Sequence, residues 1–285
     1  MYWSRVKTIL IILFLCINLF LLVSMMVSIN QTITISSDTV EDTVEVLKKN
    51  NISVEKSLIP TRMHNMPILQ MQNTQQDADA FAERILGEGY TEEKDGDVSK
   101  YTLGSSILTV EGCAFSYIKA SPSTAITDLN ETTVQEHAKK VLERFHLNTK
   151  YAVVQAVKKQ KDGGYTVAFS QRYAKKDIFN VYITMTFTPQ GLKFMKGYWL
   201  TPKKFTSEKY PIRHVTSILI NFIRNEDRPK DKKVTITDIS LGYRADTNDD
   251  VVNIKTAPAI PVWRITTDDG KVYYYEAMTG DYIIH

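Results

Sequence analysis

The residues best suited to chemistry are five histidines, His64, His137, His146, His214 and His285, and two cysteines, Cys16 and Cys113. Their spacing supports little of it. No two histidines stand at the i, i+4 interval of a helical zinc site, and there is no Cys-x-x-Cys, phosphate-cradling glycine loop or Gly-x-Ser-x-Gly nucleophile turn. Asp249-Asp250 and Asp268-Asp269 are paired carboxylates, the raw material of acid–base or calcium sites. Asp268-Asp269-Gly270 is also ordinary hairpin chemistry, and Asn248-Asp249-Asp250 reads as a polar loop. Cys113 follows Gly112 between strand-like segments, where a thiol serves as a small core residue. The sequence therefore leads us to expect no catalytic, cofactor-binding or metal-ligating residue, and no cofactor.

The sharper candidates lie in an apolar run. Residues 9–29 carry no charge, and fifteen of these 21 are Ile, Leu, Phe or Val. As a helix rising about 1.5 Å per residue, the run matches a hydrocarbon core of about 30 Å. Asn18 lies near its middle, and an amide in lipid seeks a partner on a neighbouring helix. Ser24 and Ser28 form a small-xxx-small pair that allows close approach. Asn18, Ser24 and Ser28 are thus candidate partner-binding residues, although the same residues are tolerated in a simple anchor.

Arg5 and Lys7 precede the run; after it, Asp38, Glu41, Asp42 and Glu45 come before the first basic residue, Lys48. The positive-inside rule puts the N-terminus in the cytoplasm and the rest outside. The run exceeds a signal peptide's usual apolar stretch and no A-x-A-like site follows, so the helix is expected to be retained in the cell membrane. A net charge of +3, with 35 basic and 32 acidic residues, excludes the basic stripe of a nucleic-acid binder.

Helices are expected at about 38–50, opened by Asp38 with Glu41 as a capping box, at 75–86, capped by Thr74, at 131–145, capped by Asn130, and at 211–223, with Pro211 in the first turn. Val134, Ala138, Val141, Leu142 and Phe145 make a clear amphipathic stripe on the third. Residues 52–73, with Pro60 and Pro67, read as an extended connector. Strand-like segments with short turns follow each later helix, so the sheets should be mostly antiparallel. The expected fold is α+β: a cytoplasmic N-terminus at 1–8, a transmembrane helix at 9–29, a juxtamembrane helix and connector at 30–73, then helix-plus-antiparallel-sheet modules at 74–120 (partial), 130–203 and 206–285.

The opening Tyr2-Trp3-Ser4-Arg5-Val6-Lys7-Thr8-Ile9 resembles the start of the YycI proteins, where a Trp and alternating basic residues lead into one spanning helix. The closing Val272-Tyr273-Tyr274-Tyr275-Glu276-Ala277-Met278-Thr279-Gly280-Asp281-Tyr282-Ile283 is similar to the last hairpin of YycI, YycH and PepSY-like modules. The resemblance implies a non-enzymatic accessory protein of Gram-positive bacteria. Such a protein would act with a YycH-like companion on the histidine kinase WalK (YycG), whose response regulator controls cell-wall metabolism. Its contacts would lie partly between spanning helices and partly between exported domains. An exported PepSY-like inhibitor or ligand-sensing module is the alternative, and a wall-active enzyme with a carboxylate-lined cleft a third.

Overall fold

A 28-residue helix, α1 (Tyr2–Ile29), opens the chain. The computed structural model describes residues 2–29, 32–73, 77–246 and 256–284. After α1 come β1 (Thr32–Thr34), α2 (Ser37–Lys49), β2 (Ile52–Val54), a 3-10 turn (Lys56–Leu58), β3 (Arg62–His64) and β4 (Met66–Asn73). Next, α3 (Ala78–Leu86) precedes β5 (Thr91–Asp95), β6 (Val98–Leu103), β7 (Ser106–Glu111) and β8 (Ala114–Lys119). Then α4 (Glu131–Arg144) precedes β9 (Ala152–Lys159), β10 (Tyr165–Tyr173), β11 (Lys176–Thr188), β12 (Gly191–Tyr198) and β13 (Leu200–Tyr210). Finally α5 (Val215–Arg224) precedes β14 (Val234–Ala245), β15 (Thr256–Thr267), β16 (Val272–Glu276) and β17 (Tyr282–Ile283). The fold is α+β, with mainly antiparallel pairing; β2 and β11 each pair with β14 in parallel.

Several helix starts differ from the sequence reading. For α2 the cap is Ser36, whose Oγ accepts from Thr39 N at 3.2 Å, so Asp38 lies inside the first turn. Asp77 caps α3 by accepting from Ala80 N at 3.0 Å; Thr74 lies outside the described residues. Helix α5 begins at Val215 rather than at Pro211. The backbone just before it is held extended, because Arg213 N donates to Ala277 O at 2.7 Å. Asn130 caps α4 as expected, with a reciprocal bond from Asn130 N to Thr133 Oγ1. Residues 52–73 are no mere connector: they hold β2, β3 and β4, and β4 buries Met66, Leu69, Met71 and Asn73.

The chain packs as two units, residues 1–67, 207–240 and 263–285 in one, and 68–206 and 241–262 in the other. In the first unit α2 packs on α5. Val40 and Leu47 of α2 are buried, as are Val215, Ile218, Leu219 and Phe222 of α5 and Trp263, Tyr273 and Tyr275 of the strands. Phe222 meets Tyr273 edge to face at 5.0 Å between ring centres.

The second unit is built on an eight-stranded antiparallel sheet, in the order β5-β6-β7-β8-β12-β11-β10-β9. Each half is one helix followed by four strands that meander. The halves meet last strand to last strand, β8 against β12. Helix α3 lies on β6 and β7, and α4 on β9 and β10. Both cover the face that carries Phe115, Tyr117, Ile183, Met185 and Met195, and Phe81 from α3 meets Phe115 edge to face at 5.2 Å between ring centres. Burial of such side chains, about 1.5–3 kcal/mol each, holds the helices to the sheet.

Candidate functional site

In α1 the segment Arg5–Val23 has a mean hydropathy of 2.7 and no buried surface. Length and composition suit it to cross a membrane. Asn18 donates from Nδ2 to Phe14 O at 2.9 Å. One donor is thus satisfied within the helix, while among the described residues Oδ1 receives no hydrogen bond. Ser24 and Ser28 belong to the same helix, and their side chains lie outside the described residues. Among the described residues, the Asn18 side chain is hydrogen-bonded only within α1.

The Asp268-Asp269 pair is accounted for locally. Asp269 Oδ1 accepts from Thr267 Oγ1 at 2.6 Å and from Lys271 N at 3.2 Å, and the bond from Thr267 leads in holding this carboxyl below the usual range. Asp268 Oδ1 accepts from Thr235 N at 3.1 Å. These contacts pin a hairpin. Asn248, Asp249 and Asp250 lie outside the described residues, as does His285. The remaining histidines are dispersed, His64 in β3, His137 on α4, His146 just after it with a φ of 52°, and His214 as the N-cap of α5. Among the described residues no three His, Cys, Asp or Glu side chains gather as a metal would require. Cys113 is buried, and burial pushes its thiol pKa up, which suits core packing rather than nucleophilic chemistry.

Each unit also carries concavities. In the first unit, a groove of about 440 Å³ runs between the end of α5 and the β16–β17 hairpin. Several of its polar groups are paired: Asn225 Nδ2 donates to Tyr275 Oη at 2.8 Å, and Tyr282 Oη donates to Asp227 Oδ2 at 2.7 Å. Burial first, then Asp227, pushes the Tyr282 phenol up to about 12. In the second unit, a cavity of about 150 Å³ opens beside α4, with Lys119, His137, Lys140 and Arg144 on its lining.

The sheet of the second unit also presents its other face. Cross-strand register aligns Phe194, Ile118 and Ile107 in one row, and Thr184, Lys196, Ser116 and Thr109 in the next. Outside α1, the strongly exposed large apolar side chains among the described residues are Val46, Ile118, Tyr182 and Ile284. Two of them, Ile118 and Tyr182, stand on this face.

The sequence matches the family described as "YycI protein" over residues 30–278. Among solved structures, an uncharacterized protein from Eubacterium rectale aligns with a TM-score of 0.51 at 10% identity, over 89% of this chain and 99% of that one. At that identity the likeness speaks to fold alone. YycH from Bacillus subtilis aligns with a TM-score of 0.45 at 14% identity, over 74% of this chain and 53% of that one. No curated protein matches the sequence.

Proposed function

The chain belongs to the YycI family, and from that membership we propose a membrane-anchored accessory regulator that binds the cell-wall-sensing histidine kinase WalK (YycG) together with a YycH-like companion. It works without enzymatic activity of its own. In this reading the N-terminus stays in the cytoplasm, α1 crosses the membrane once, and the remainder folds outside. The helix–sheet modules at 74–120, 130–203 and 206–285 present the companion-binding surfaces, with the Ile118 and Tyr182 face first among them. The observation that carries the reading is the family match over 30–278 on a chain whose preceding helix suits a bilayer.

The mechanism is a population shift. A partner moves a kinase between two conformations only by contacting them unequally, and a difference of about 1–3 kcal/mol changes output several-fold or more. Asn18 is assigned to such a contact. Its unoccupied Oδ1 offers an acceptor, and a hydrogen bond between spanning helices contributes about 0.6–2 kcal/mol. Asn18→Leu keeps the helix apolar while removing that acceptor. Recovery of the kinase with the tagged full-length chain from solubilised membranes should fall about threefold to thirtyfold. Unchanged recovery would remove Asn18 from the interface and leave Ser24 and Ser28 as the remaining candidates.

A further inference from the structure

We propose that the cavity beside α4 binds a phosphate ester carried on a small, partly apolar body. His137, Lys140, Val141 and Arg144 are spaced i, i+3, i+4 and i+7, so α4 turns all four to one wall. Lys119 at the end of β8 supplies a further cation, and Ser123 and Thr124 of the following loop add hydroxyls. No Asp or Glu belongs to the lining, and among the described residues the side chains of Lys119, His137 and Lys140 form no ion pair or hydrogen bond. Arg144 lies over the Phe145 ring at 4.8 Å. Lysine and arginine side chains with no carboxylate beside them in the lining attract an anion, and their many donors suit the several acceptor oxygens of a phosphate.

The floor is different in character. Tyr117, Ile126, Val141, Phe187 and Leu192 are buried and mostly apolar. Together with the 150 Å³ volume they leave room for a carbon body beyond the phosphate itself. The cavity is also built rather than incidental. Its loop is tied down by Ile126 N donating to Pro189 O at 2.9 Å. Gly191, at φ +120°, lets Thr124 approach so closely that a Cβ there would stand 2.6 Å from Thr124 O. The wall is therefore held open by backbone contacts independent of any ligand, which lowers the ordering cost of binding.

The test uses the full-length chain in uncharged detergent, titrated with glycerol 3-phosphate and with inorganic phosphate by calorimetry at low ionic strength. The ester should bind more tightly than inorganic phosphate, because the floor takes its carbons. Lys140→Ala/Arg144→Ala, and separately Lys119→Ala, should weaken the ester about tenfold or more. Lys158→Ala/Lys159→Ala, on the exposed end of β9, should leave affinity unchanged. A second arm places the chain in discs of zwitterionic lipid with or without phosphatidylglycerol. Competition by phosphatidylglycerol assigns the site to a lipid headgroup, and its absence to a soluble ester. The proposal is overturned by no binding in either arm, by equal affinity of the cavity variants, or by equal loss in the β9 control.

Discussion

Without residues 1–29 the chain should move from the membrane fraction to the soluble fraction. The fifteen Ile, Leu, Phe and Val residues of the apolar run contribute at most about 5–9 kcal/mol of insertion free energy, enough to hold the chain in a bilayer essentially completely. The segment Arg5–Val23 buries none of its surface in the rest of the chain, so its removal takes nothing from either core. The truncated protein should therefore melt at the same temperature as the full-length chain. Ultracentrifugation of lysates and thermal circular dichroism read the two outcomes separately. Quantitative pelleting of the truncated chain would reveal a second membrane attachment.

Trp263→Ala should be the most destabilising single change in the first unit. The indole is fully buried on β15, and Nε1 donates to Arg213 O at 3.2 Å. Truncation leaves a cavity costing about 3–5 kcal/mol and strips the Arg213 carbonyl of its indole partner. Against a total stability of about 5–15 kcal/mol, that is a large fraction. A melting temperature lower by about 6–20 °C is expected. Trp3→Ala is the natural comparator: Trp3 is 74% exposed on α1, and its loss should change the melting temperature by less than about 2 °C. Equal shifts for the two would mean that Trp263 does not anchor this core.

How much of this was legible in the sequence depends on what each element buries. Helices α1 and α4 are plain because an unbroken apolar run and a clean stripe are local signals. Hidden from that reading was β5, Thr-Glu-Glu-Lys-Asp, all five of whose residues are exposed, so the strand has no alternation to read. It exists because β6 pairs with it through the backbone. Much of β13 was missed for the same reason, since from Lys203 onward no residue is buried. The start of α5 was misplaced because a hydrogen bond to Ala277 overrides the local preference of Pro211. The β8–β12 join links residues some eighty positions apart, which no local pattern records.

The same division runs through the candidate sites. Asn18 stands out in sequence because a polar amide in an apolar run is costly wherever it points. The basic cavity does not. The spacing of His137, Lys140 and Arg144 was there to see on α4, but it reads equally well as a solvated helix face. Only the approach of Thr124 to Gly191 turns that face into a wall, and Gly191 in sequence signals no more than a turn.

The central claim is that this chain works by standing against a sensor kinase in the membrane. A photo-crosslinking amino acid at position 18, and another at position 118, tests it most directly when each full-length variant is expressed at its normal level in living cells. The account predicts an adduct with the kinase from position 18 and an adduct with the kinase or its companion from position 118. Efficient crosslinking at both positions to lipid and unrelated proteins alone, with neither kinase nor companion recovered, would contradict it.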